Sequence, residues 1–273
     1  MSRERIKTIL IILFLFTDIF LAFSIFTAKK EETSISPDVM DSAVQILKEH
    51  NILLDKSVIP AKFPHASVLQ ADNIISDYES FAKSVLGDGF SSRGDGLFWG
   101  KDAELTISGD RFCFKSLENS DISKSYTISE AQKSVFSYLK ALGFNISGAK
   151  VVSSSADGGI CNMKIRGFAQ NLPVYSSEID IAVSSGGVIS LSGSWFNPRD
   201  SIGEDSSLKS ITAILVDFAS SYDGVKQKSI KSIELGYSVF DSATYHKSAS
   251  LIPVTKITLN GGNEYFLDSR ASE

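Results

Sequence analysis

The chain has 273 residues, 43% hydrophobic and 22% charged, a globular composition that excludes a largely disordered polypeptide. Its net charge is −5, and residues 31–273 carry about −8 once the five basic and two acidic residues before them are set aside; this excludes nucleic acid or an anionic polymer held through bulk charge. Two cysteines, Cys113 and Cys161, exclude a disulfide-rich scaffold and leave two readings, one bridge or two small buried thiols on different strands.

Residues 1–7 hold Arg3, Arg5 and Lys7, and residues 8–28 read TILIILFLFTDIFLAFSIFTA, with one charge. A helix rising ~1.5 Å per residue needs about 20 apolar residues to cross a bilayer, and in lipid a helix leaves no backbone group unpaired. The segment is expected to be a single transmembrane anchor. The basic flank places the N-terminus in the cytoplasm and the bulk of the chain outside it. A cleaved signal peptide would have a shorter apolar core and small residues at its end, where this chain has Phe20, Phe23 and Phe26. Asp18 falls mid-span, where a lone carboxylate costs about 2.5–3.5 kcal/mol. Either it contacts a partner's transmembrane helix, with Thr17 and Leu21 beside it, or it is tolerated in protonated form.

Residues 29–57 form a stalk. Ser36 and Pro37 are a cap and a first helical residue, and Val39, Ala43, Ile46 and Leu47 give the apolar stripe. Residues 55–67, with Pro60 and Pro64, read as extended. A first α+β module is expected over 58–125. Its helix begins at the capping box Ser76–Glu79 and ends at Gly87, and strands follow at 96–100, 103–108 and 111–116. A second α+β region covers 126–273, in halves 126–200 and 201–273. Its first helix opens with the capping box Thr127–Glu130. Strands are expected at 146–154, 160–168, 173–184 and 187–196, with Asp157-Gly158-Gly159 and Ser185-Gly186-Gly187 as turns. A helix over 207–222 then precedes strands at 230–240, 250–259 and 263–268, the last two joined by Asn260-Gly261-Gly262-Asn263. Hairpin-linked strands with segregated helices predict an α+β fold with antiparallel sheets.

No catalytic constellation is visible. His50, His65 and His246 are far apart and lack metal-ligand spacing, and there is no Cys-X-X-Cys, no nucleophile elbow and no phosphate-binding loop. The expectation is a non-enzymatic chain without cofactor or metal. Trp99, in Gly96-Leu-Phe-Trp-Gly100, and Trp195, in Ser194-Trp-Phe196, stand out as either partner surfaces or packing residues.

Four groups of residues carry a family resemblance. They are Arg5–Leu21; Ala43–Ile52 with Ile59-Pro60; Leu172-Pro-Val-Tyr175 leading to a Gly-Gly turn and Ser194-Trp195; and Glu234–Phe240 with Ile252-Pro-Val254 and Asn263-Glu-Tyr-Phe266. In these the chain resembles the YycI family, auxiliary regulators of the YycG (WalK) sensor histidine kinase that governs cell-wall metabolism in low-GC Gram-positive bacteria. It departs from the family at Ile252-Pro-Val-Thr255, where an aromatic more often follows Pro-Val. The resemblance implies a YycH/YycI-like fold of helix-plus-sheet modules, and these units are also similar to PepSY-type domains. It implies a cell-membrane protein whose partners are a YycH-like protein and the kinase, with Asp18 among the transmembrane contacts. The alternative is a PepSY-like envelope module that binds peptides or restrains a protease.

Overall fold

The computed structural model describes residues 14, 17–18, 37–60, 65–117, 127–201, 207–224, 226–239 and 248–271. The expected anchor over 8–28 lies outside the described residues except for Phe14, Thr17 and Asp18, which are helical and exposed. Among the described residues no helix is long and apolar enough to cross a membrane.

The chain divides into two units, Met1–Lys62 with Ile211–Ser229 and Phe63–Ser210 with Ile230–Glu273. In the first, α1 (Pro37–Glu49) starts at the expected proline and buries Met40, Ala43 and Leu47, the stripe that its spacing gives. It packs on α4 (Ile211–Ser221), which buries Ile211, Ile214, Leu215 and Phe218. β1 (Ile52–Leu53) runs parallel to Lys228–Ser229. Part of the stretch read as extended is instead a short 3₁₀ turn over Lys56–Val58, because the Asp55 carboxylate caps the Ser57 amide.

The second unit contains a large, mostly antiparallel sheet. Its strands are β2 (Leu69–Asn73), β3 (Ser91–Ser92), β4 (Leu97–Trp99), β5 (Ala103–Ser108), β6 (Arg111–Ser116), β7 (Lys150–Asp157), β8 (Ile160–Ala169), β9 (Leu172–Ser184), β10 (Gly187–Ser194), β11 (Phe196–Ser201), β12 (Lys228–Val239, from Ile230), β13 (Ser248–Leu259) and β14 (Glu264–Asp268). The order is β11-β2-β13-β12-β9-β10-β6-β5-β4-β3, with β8 and then β7 beside β9, and β14 beside β13. β6 pairs with β10 from Ser190↔Lys115 to Ser194↔Arg111, so the expected boundary between 58–125 and 126–273 runs through one sheet. β2, β3 and β11 were not legible in the sequence.

Two helices cover one face. α2 (Tyr78–Leu86) is capped by Asp77, whose carboxylate accepts from the Glu79 and Ser80 amides; the expected cap, Ser76, lies one residue before the actual cap. α3 (Ile128–Ala141) has the expected capping box, with Thr127 and Glu130 bonding reciprocally. Phe81, Ala131, Val135 and Leu139 of these helices pack with Leu105, Phe112, Ile165, Ile179 and Leu191 of the sheet. Strand alternation leaves the opposite face small and polar. There Lys164, Asp180, Ser192, Cys113 and Thr106 stand in register across β8, β9, β10, β6 and β5.

Candidate functional site

β9 lies along β8 on one side. On the other, its second half pairs with β10, and its first half meets β12 in parallel at Val174↔Tyr237. A register shift at Arg166/Gly167 of β8 accompanies this branching. Tyr237 also faces Pro253 of β13, and Gly236 faces Val254. Segments 172–175, 234–239 and 252–266, far apart in sequence, therefore converge around Tyr175.

Gly236 makes room for the Tyr175 ring. A Cβ at Gly236 would stand 2.5 Å from Tyr175 Cε2 and 2.6 Å from the Pro173 carbonyl oxygen. The ring meets Phe266 edge-on at a centroid distance of 5.2 Å. The Arg166 guanidinium carbon lies 5.5 Å from the ring centroid and Lys256 Nζ 5.1 Å, both within cation–π range.

Strand register arranges the charges. Arg166 is opposite Glu178, and Lys164 is opposite Asp180. Arg166 Nε donates to Glu178 Oε2 at 2.8 Å, with Nη2 on the same oxygen, while Lys164 Nζ reaches Glu178 Oε1 at 2.8 Å and Asp180 Oδ2 at 3.0 Å. On β13, Lys256 is opposite Glu234 of β12 and Phe266 of β14. Its side chain is 8% exposed and reaches Glu264 Oε1 at 3.1 Å and Glu234 Oε2 at 3.8 Å. A buried ammonium needs such partners, since desolvation without them is costly.

These surroundings fix protonation. Burial opposes ionisation of Glu178, but hydrogen bonds from Lys164 and Arg166 outweigh it and hold the carboxyl below its ordinary range. The bond to Glu178 holds Lys164 above its own. Burial, and then the Glu234 charge, push the Tyr175 phenol far up. Its hydroxyl is buried and makes no hydrogen bond within the described residues. Glu178, Lys164 and Tyr175 thus keep fixed charge states around neutral pH. Phe266 is 40% exposed, and the Glu234 and Glu264 side chains are 48% and 44% exposed. An aromatic centre with a charged rim is the composition of a protein-binding patch.

The residues expected from sequence to contact a partner are elsewhere. Thr17 and Asp18 are exposed, and Leu21 lies outside the described residues. Trp195 is 1% exposed. Its ring packs 5.7 Å from Phe144 and its Nε1 donates to Asn197 Oδ1, so it is a core residue and offers a partner no surface. Trp99 is half-buried on the polar face, with Arg93 4.9 Å above its ring and its buried Nε1 making no hydrogen bond among the described residues. Sequence reading missed Arg166, Glu178, Glu234, Lys256 and Phe266 as a site. The available signal was Lys256 itself, a lone charge in the apolar run Leu251–Leu259.

A separate apolar pocket of about 380 Å³ lies between α3 and the β9–β10 turn, lined by Phe114, Val135, Tyr138, Val183 and Val188 among others. Burial pushes the Tyr138 phenol up to about 12. Among the described residues no group of three His, Cys, Asp or Glu side chains is disposed to hold a metal ion.

No protein-family model and no curated protein sequence matches the chain. Three solved structures are similar in part. An uncharacterized protein from Eubacterium rectale matches with TM-score 0.46 and 13% identity, over 76% of this chain and 82% of that one. YycH from Bacillus subtilis matches with TM-score 0.46 and 15% identity, over 75% of this chain and 54% of that one, so the chain spans about half of YycH. The Bacillus megaterium YpeB C-terminal domain matches with TM-score 0.33 and 10% identity, over 71% of this chain and 92% of that one. All three scores lie below 0.5, so the likeness assigns neither a family nor a function.

Proposed function

We propose that the chain is a non-enzymatic auxiliary regulator of a two-component sensor histidine kinase that controls cell-wall metabolism. In this reading residues 8–28 anchor it in the cell membrane and residues 31–273 act outside the cytoplasm, with a YycH-like protein as co-partner. The observation that carries the reading is the convergence of segments 172–175, 234–239 and 252–266 on the exposed aromatic and charged patch at Tyr175. Residues 172–175, 234–239, 252–254 and 263–266 in these segments are among those that carry the resemblance to the YycI family. Regulation then consists of contacts that differ between the kinase's two signalling states.

The test is co-purification of the full-length chain with the kinase and the YycH-like protein from membranes. Asp18→Leu and Glu264→Lys are each expected to lower recovery and alter kinase output while the variants remain folded. Unchanged recovery and unchanged output in both would refute the proposal. The apolar pocket beside Tyr138 favours a second reading, a PepSY-like module that takes a peptide side chain and restrains a protease. Inhibition of an envelope protease by the purified chain, with no kinase present, would establish that reading instead.

A further inference from the structure

Among the described residues the sheet of the second unit ends in four edge strands, and three of them are guarded against pairing with another chain. β3 has two residues, β11 contains Pro198, and β14 has Glu264 and Asp268 at its ends. β7 is different. It has eight residues, pairs only with β8 among the described residues, and has neither proline nor charge between Lys150 and Asp157. Residues 152–157 are exposed, including Val152 at 40%. Such an edge presents a row of backbone donors and acceptors to a further strand.

The register of β7 is compatible with a two-fold axis. β8 pairs with Lys150, Val151, Ser153, Ser154, Ser155, Ala156 and Asp157, and the shift between Val151 and Ser153 sets Val152 aside as a bulge. The bulge puts Lys150, Ser153, Ser155 and Asp157 on one face, and Val151, Ser154 and Ala156 on the other. A two-fold axis perpendicular to a sheet preserves faces, so an antiparallel self-pair needs one residue opposite its own copy. Ser154 is the centre of the seven paired residues and satisfies this. Around it Ser153 faces Ser155, Val151 faces Ala156, and Lys150 faces Asp157, on the same face of the sheet. Opposite charges thus meet at both ends, and between them no like charges stand opposite each other.

We infer that β7 is the contact strand of a homodimer, in which a second copy of this chain extends the sheet antiparallel about Ser154.

The test uses the purified full-length chain in detergent. Directly opposed antiparallel residues have Cα atoms about 4.5–5.5 Å apart, within reach of a disulfide. Ser154→Cys is therefore expected to form a disulfide-linked dimer under mild oxidation, whereas the wild type, with Cys113 and Cys161, forms none. In sedimentation, Lys150→Asp is expected to weaken the dimer about tenfold, and Lys150→Asp with Asp157→Lys to restore it. Circular dichroism checks that each variant is folded. A folded Ser154→Cys variant that does not cross-link overturns the inference and leaves the edge to a different chain. So does a dimer that is indifferent to Lys150→Asp.

Discussion

Tyr175 and Phe266 meet edge-on with centroids 5.2 Å apart, although β9 and β14, which carry them, do not pair with each other. The contact closes over the point where β9 meets β12, and it depends on Gly236 having no side chain. An aromatic pair is worth about 0.5–1.5 kcal/mol beyond its buried area. Phe266→Ala is therefore expected to cost roughly 1–2 kcal/mol in urea unfolding. Tyr175→Phe removes a buried hydroxyl that has no partner within the described residues, and is expected to be neutral or slightly stabilising. A larger cost for Tyr175→Phe than for Phe266→Ala would show that the hydroxyl is satisfied in the folded chain.

The Glu178 array makes stability sensitive to acid. The folded carboxyl titrates below its unfolded value, held by Lys164 and Arg166 against the effect of burial. Its contribution is complete above the unfolded value, near pH 4.3, and is lost as pH falls through the lower folded value. Urea midpoints measured between pH 7 and pH 2.5 should fall more steeply for the wild type than for Glu178→Gln over the acidic end of this range. Parallel curves would mean that the array contributes nothing to folding.

How much of this was legible depends on the range of the signal. The starts of α1 and α3 are legible to within a residue because Pro37 and the Thr127–Glu130 box act inside one turn. The cap at Asp77 rather than Ser76 was a choice between adjacent polar residues, decided by which side chain reaches the Glu79 and Ser80 amides. Hairpins with glycine turns were legible for the same local reason. The β8–β9 turn is a pair, Gln170 and Asn171, both at positive φ, where neither glycine nor proline marks it. The strand expected over 187–196 stops where β11 begins, because nothing in the sequence shows that the chain crosses to β2 at Phe196. Lys256, Glu234, Arg166 and Glu178 became a site only through register. A strand's alternation says which face a residue takes, and not which residue faces it.

Two tyrosines should resist ionisation. Burial raises Tyr138 to about 12, and burial with the Glu234 charge raises Tyr175 further. A raised phenol favours the fold while it stays protonated, and that contribution is lost as pH climbs from the unfolded value near 10 through the folded one. Absorbance titration of the eight tyrosines should therefore show at least two that ionise only near pH 12 or on unfolding. Tyr138→Phe should remove one of them. A single transition near pH 10 in folded protein would contradict the burial of both rings.

The two cysteines are separated by the sheet itself. Cys113 of β6 is in register with Thr106 and Ser192 on the polar face and is half-buried. Cys161 of β8 is in register with Val183 and lies in the core with 0% exposure. Side chains on opposite faces, with β9 and β10 between their strands, cannot bring their sulfur atoms to bonding distance. A thiol reagent should label one residue per folded chain and two in urea, and the mobility on a denaturing gel should be the same with and without reductant. Cys113→Ser should abolish labelling of the folded form and leave one thiol in urea. Labelling of both thiols before unfolding would place Cys161 outside the core and undo the face assignment on which the polar surface, the Tyr175 site and the β7 register all rest.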